Sequence, residues 1–281
     1  MAPPLRDDAV VGSWGREPNT VLRHPAARPE PEFVILAESE RPSAPTEWEP
    51  HSHAMHELVW VRGGTLTARA NDRIYTVSQG SGLWIPAGVV HAGRLTANVE
   101  LHDALFSRDR TPISFDEPTV IAMTPVLESL LVHLKRTDLD AAARARAEAV
   151  VFDVLEPSPH QLALRLPGDA RIDAIVEALL GDPADARSLE EWALALGASE
   201  RTITRAFRGT TGLSFAQWRQ ALRVHRALAL LSDGSTVQEA AERLGYAHTS
   251  TFIDAFRRVM GATPGTFQTR SRVSGNPYPL S

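Results

Sequence analysis

The sequence predicts an α+β chain: a β sandwich or barrel first, then a helical connector, then an all-α C-terminal part. Three observations carry this reading. Short β-type runs separated by turn residues fill the stretch from Glu32 to Phe106. After Thr111 the apolar residues recur every three to four positions, the period of a helix. Near the C-terminus a helix-turn-helix pattern occurs twice, its equivalent glycines 48 residues apart. A chain of 281 residues has room for two domains and a connector, at roughly 100–200 residues per domain.

The elements follow in chain order. Residues 1–50 hold 9 of the 20 prolines and little periodicity, so residues 1–31 are expected to be largely disordered. Residues 32–112 form the β domain. Its runs are FVILAE, ELVWV, TLTARA, RIYTV, GLWIP and VELHDALF, punctuated by Gly63-Gly64, Asn71-Asp72 and Gly80-Ser81-Gly82. Residues 113–168 form the connector, with two amphipathic helices at 125–136 and 141–155 that suit packing or dimerisation. Prolines 157, 159 and 167 make a linker. Residues 169–272 are all helical, with helices expected at 171–180, 189–196, 200–208, 215–231, 237–244 and 250–260. Residues 273–281 are a tail.

The net charge of -5 argues, taken whole, against a nucleic-acid partner. The average hides two different halves. Residues 1–185 carry 17 basic and 27 acidic side chains, whereas residues 186–272 carry 12 and 7. A basic C-terminal part on an acidic chain points to a polyanion for that part alone. The absence of cysteine excludes a disulfide scaffold, a zinc finger and a thiol nucleophile. Without a signal peptide or an apolar run of 18 residues, the expectation is a cytoplasmic protein with no membrane partner.

Each of Ser188–Gly212 and Thr236–Gly261 has a short helix centred on Ala193 or Ala240, then Gly197 or Gly245, a polar turn, and a second helix ending in Ala-Phe-Arg. The glycines suit the left-handed conformation that ends a helix. Ser199, and Thr249 or Ser250, suit the caps of the second helices. Two copies in register, joined by one amphipathic helix (Trp218–Leu231), resemble the AraC/XylS family of bacterial transcription regulators. Gly261, Pro264 and Phe267 match that family's closing motif. The resemblance covers Ala170–Phe267 and implies double-stranded DNA as partner.

In the first reading helix Ile203, Ala206 and Phe207 face the core, which leaves Arg201, Thr202, Thr204, Arg205 and Arg208 for DNA. Arg201 and Arg205 occupy the positions that contact bases in the resembling family, and arginine reads guanine bidentately. In the second, Phe252, Phe256 and Val259 are core, and Thr249, Ser250, Thr251 and Ile253 face outward beside Asp254, an acid that repels phosphate. The first unit is therefore expected to supply most of the sequence readout.

The stretch His51-x-His53-x3-Glu57-x6-Gly64, followed by Gly80-x5-Pro86-x-Gly88-x2-His91, resembles the two cupin motifs. Pro45 and Leu95 depart from the pattern at its outer ends. The fold implied is an N-terminal β jelly-roll cupin, helical linker, and C-terminal all-α domain with two helix-turn-helix units. In extended chain His51, His53 and Glu57 share a face. With His91 they make a candidate site for a divalent Zn, Ni, Fe or Mn ion held by nitrogen and oxygen. His102 is either a fifth inward group or, as favoured, an ordinary barrel residue. His56 is expected to be exposed or at the barrel mouth, and Trp60 and Trp84 to be packing residues.

The function expected is a sequence-specific DNA-binding transcription regulator, a homodimer and not an enzyme, controlled by a small molecule or metal ion in the cupin domain. Two alternatives stay open: a metalloregulator whose ion is itself the signal, and a metal-dependent cupin enzyme with an attached DNA-binding domain.

Overall fold

The computed structural model describes residues 20–23 and 33–273, apart from 98, 114, 160 and 162. The expectations for 1–19, 24–32 and 274–281 lie outside the described residues. The chain divides into two units. The first contains β1 (Val21–Arg23), β2 (Ile35–Glu40), β3 (Thr46–His51), β4 (His56–Arg62), β5 (Thr65–Ala70), β6 (Arg73–Ser78, of which Arg73 and Ile74 count with the second unit), β7 (Ser81–Ile85), β8 (His91–Leu95), β9 (Glu100–Phe106) and β10 (Thr119–Ala122), then α1 (Pro125–His133) and α2 (Ala141–Val154). A short strand, β11 (Ala163–Arg165), leads on to the helices of the second unit.

Two sheets face each other. In one, β1, β3, β8, β5 and β6 lie side by side, and in the other the order is β10-β7-β4-β9-β2. Between them Val59, Val61, Leu66, Val77, Leu83 and Leu101 pack together. The opposite side chains of β4, Leu58 and Trp60, pack with Phe106 of β9, Leu127 and Leu131 of α1 and Val151 of α2. With both faces of this sheet covered, alternation disappears and the run LVWV that follows Glu57 is apolar throughout.

Four elements of this unit escape the sequence reading. β1, in the stretch expected to be irregular, pairs in parallel with β3, Val21 opposite Thr46. β3 and β8 are polar runs, and β10 lies in the presumed connector. The expected amphipathic character of α2 is also corrected. It turns Arg144 and Glu148 inward, and both serve the edge strand β2: Ile35 N–H donates to Glu148 Oε1 at 3.0 Å, and Arg144 donates to the Ile35 carbonyl at 2.8 Å. An edge strand's unpaired backbone groups need such partners once buried.

The second unit is helical: α3 (Asp173–Gly181), α4 (Leu189–Leu196), α5 (Glu200–Thr211), α6 (Phe215–Ser232), α7 (Val237–Arg243), α8 (Thr249–Met260) and α9 (Pro264–Val273). α6 joins two cores. Its Phe215, Trp218 and Leu222 pack with Trp192 of α4 and Phe207 of α5. Its Val224, Ala227, Leu228 and Leu231 pack with Ala240 of α7 and Phe252 and Phe256 of α8. α9, unread from the sequence, adds Phe267 to the edge of the second core. Gly197 and Gly245 have φ of 60° and 73°, the left-handed region that ends α4 and the turn after α7. Ser199 caps α5, accepting from Thr202 N–H at 3.1 Å. The matching expectation for α8 fails: its N-cap is His248, with no side-chain cap bond, so Thr249 and Ser250 already lie inside the helix. Val259 is only partly buried at the core's margin. Among the described residues no helix is long and apolar enough to cross a membrane.

Candidate metal centre and nucleic-acid interface

The candidate metal centre begins with a strand that ends irregularly. β3 and β8 run antiparallel, and their register shifts between Trp48 and His51, after which His51 sits opposite His91. His53 follows two residues on, so extended chain returns it to the same face. The three imidazoles bring their ligand atoms within 4.8 Å of one another, and the His51 and His91 ring centroids are 4.2 Å apart. β4 adds Glu57, whose Oε2 lies 3.2 Å from Nε2 of both His53 and His91. All four sequence-predicted residues are thus together.

Backbone carbonyls set the ring chemistry. Nδ1 of His51, His53 and His91 donates to the carbonyls of Glu49 (2.7 Å), Met55 (2.7 Å) and Val89 (2.9 Å). With the proton held on Nδ1, each neutral ring presents Nε2 as a lone pair. Such outer bonds are what orient metal-ligating histidines. Burial pushes the His51 imidazole down, which favours the neutral, ligating form. Burial alone would raise the Glu57 carboxyl, but the His53 and His91 rings beside it, when they carry a second proton on Nε2, hold it well below the usual carboxylate range. Lone pairs facing a carboxylate repel unless a cation, proton or metal, lies between them.

The four residues line one wall of a cavity of about 680 Å³ between the sheets. Trp48, Met55, Leu66, Ile85 and Leu101 give it apolar walls, and Asp103 and Glu38 an acidic share. His102 lies on the other face of β9, stacked on Trp60 with centroids 4.9 Å apart. Its favoured reading as a residue outside the ligand set agrees with that placement. His56 corrects its expectation: it is half-buried and stacks on Trp84 at 5.2 Å. Trp60 and Trp84 are 1% and 0% exposed, as packing residues.

The nucleic-acid interface comes from the second unit. α5 buries Ile203, Ala206 and Phe207 and leaves Arg201, Arg205 and Arg208 exposed, with Thr202 and Thr204 half-buried. Among the described residues none of these three arginines pairs with an acid. Thr202 also bonds Ser199 through its hydroxyl at 2.9 Å, which ties it to the helix cap. On α8, Ser250 and Thr251 are exposed, and Thr249 and Ile253 half-buried. Asp254 is paired with Arg257 at 3.1 Å, so its charge is partly offset.

On α6, Arg219 and Arg223 line a cleft of about 370 Å³ with Tyr246, Thr251 and Arg258. Arg219 donates to the Arg187 carbonyl at 2.8 Å, and Arg223 to the Pro183 carbonyl at 2.7 Å.

A family model described as a helix-turn-helix domain matches residues 192–270, and one described as an AraC-like ligand binding domain matches residues 39–108. The chain is 33% identical over 245 residues to the HTH-type transcriptional regulator NimR of Escherichia coli (strain K12), covering 85% of this chain and 87% of that protein. It is 26% identical over 249 residues to the HTH-type transcriptional activator RhaR of Klebsiella pneumoniae, covering 80% and 88%. Among solved structures, ToxT from Vibrio cholerae O395 aligns with a TM-score of 0.35 and 12% identity, over 84% of this chain and 97% of that one.

Proposed function

The chain belongs to the AraC family of helix-turn-helix transcription regulators, and from that premise we propose that a divalent metal held by His51, His53, Glu57 and His91 takes part in sensing the signal. It is a DNA-binding regulator with a ligand-binding domain, and its relatives are regulators rather than enzymes. The observation that carries the metal reading is the set of three Nε2 lone pairs, each fixed by a carbonyl on Nδ1, two of them facing the Glu57 carboxylate. Zn, Ni, Fe or Mn suits three nitrogens and an oxygen. The ion would supply an open coordination position to an effector entering the cavity, and the apolar walls would select its shape.

In the same reading, residues 32–112 sense, 113–168 connect and dimerise, and 169–272 read DNA. Val126, Val132 and Val150, exposed on α1 and α2, support a homodimer contact. Arg201 and Arg205, with Thr202, Thr204 and Arg208, read the first half of the site. Thr249, Ser250, Thr251 and Ile253 fit the second. A DNA-shift titration of metal-loaded and chelator-stripped protein, without organic ligand, tests the proposal. A change in affinity on stripping makes the ion itself the signal. No change, together with metal still required for a small-molecule response, makes it a cofactor of sensing. Unaltered affinity and response without metal would sink the proposal.

A further inference from the structure

Lys135 is the single lysine among 29 basic side chains; the other 28 are arginines. It follows α1, and its half-buried amine donates to Nδ1 of His102 at 2.8 Å. His102 is 1% exposed and fixed by its stack on Trp60. With Nδ1 accepting, the ring proton sits on Nε2, 3.3 Å from Glu100 Oε1 and without a hydrogen-bond partner of its own. An amine, an imidazole base and a carboxylate thus stand in line on the outer face of β9, away from the histidines of the cavity.

The neighbouring charges sharpen the arrangement. Glu128 of α1 is taken by Arg62 of β4 at 2.6 Å, and Glu100 by Arg41 at 3.0 Å. Among the described residues the hydrogen-bond partner of the Lys135 amine is the His102 ring. Burial lowers the Lys135 amine from its ordinary value, Glu100 and Glu128 raise it, and Arg62 lowers it further. A lysine desolvated beside cations holds more of its nucleophilic neutral form.

We propose that Lys135 is a modification site, acylated by activated acyl donors such as an acyl phosphate or an acyl thioester. The Nζ lone pair attacks the donor's carbonyl carbon and a C–N bond forms. His102 Nδ1 takes the proton that Nζ loses as Nε2 gives its own proton to Glu100 Oε1, so the buried ring stays neutral and the carboxyl releases the proton to solvent. The C–O or C–S bond breaks, and phosphate or thiolate leaves with the electron pair. Nothing is oxidised or reduced, and the product is a neutral amide where a cation stood.

The test uses the full-length protein, acetyl phosphate and acetyl-CoA in separate arms, and peptide mass mapping to separate Lys135 from the N-terminal amine. Native Lys135 should react at least about tenfold faster than in the urea-unfolded chain, with one donor or both. Its rate should level off at a pH below the ordinary lysine value of about 10.4. His102→Phe keeps a ring on Trp60 but no acceptor nitrogen, and should slow the reaction while thermal melting shows the fold retained. His102→Gln should do the same if the phenylalanine variant fails to fold. The proposal is overturned if neither donor acylates native Lys135 faster than the unfolded chain, or if a folded His102 variant reacts as fast as the parent.

Discussion

Nε2 of His91 lies 3.2 Å from Oε2 of Glu57, while Nδ1 of the same ring donates to the Val89 carbonyl at 2.9 Å. The ring is therefore held by its proton and offered by its lone pair. Glu57 sits on β4 and His91 on β8, strands of different sheets, so the sandwich itself brings the two ligand types together.

Arg201 and Arg205 should each lose about 1–3 kcal/mol of operator affinity on change to alanine, with relaxed base preference at the positions they read. Binding measured against the operator and its single-base variants checks this. If both changes are silent while Ser250→Ala and Thr251→Ala abolish binding, the assignment of readout to α5 is wrong.

The two reading helices should respond differently to loss of an N-terminal hydroxyl. Ser199 accepts from the Thr202 N–H, so Ser199→Ala should cost about 1 kcal/mol of stability. α8 has no side-chain cap, so Thr249→Ala and Ser250→Ala should stay within roughly 0.5 kcal/mol of the parent, as ordinary surface changes do. Denaturant midpoints of the three variants separate the cases.

His225 gives the second unit a dependence on pH. Burial on α6 pushes its imidazole down to about 4. In the unfolded chain it takes a proton near pH 6.5. Its neutral form is what the fold accepts, so this contribution is whole above about pH 6.5 and is lost as pH falls to about 4. The loss amounts to roughly 3 kcal/mol. His225→Leu should therefore flatten the fall in stability between those values. A variant whose stability follows the parent's curve throughout that window would contradict it.

Much of the site was legible because its residues obey short-range rules. The two-residue spacing of His51 and His53 gives one face of a strand, and the buried Ile203, Ala206 and Phe207 leave Arg201 and Arg205 outside. What escaped had physical reasons. β3 and β8 read as polar because Glu47, Glu49 and Arg94 interleave with the cavity-facing Trp48, His51, His91 and Gly93. The face of His102 was ambiguous because β9 is covered on both sides, with Leu101 in one core and Ala104 and Phe106 in the other. Arg144 and Glu148 looked like solvent residues of α2, since nothing local reveals that they satisfy the backbone of Ile35, more than 100 residues earlier.

Metal content is the most direct test of the sensing centre. Purified protein should carry one divalent ion per chain by elemental analysis. His91→Ala should weaken retention of the ion by at least about 100-fold, because even outer-shell changes cost 10–100-fold. Protein that binds no Zn, Ni, Fe or Mn when supplied, or a His91→Ala variant that holds the ion as tightly as the parent, would contradict the account.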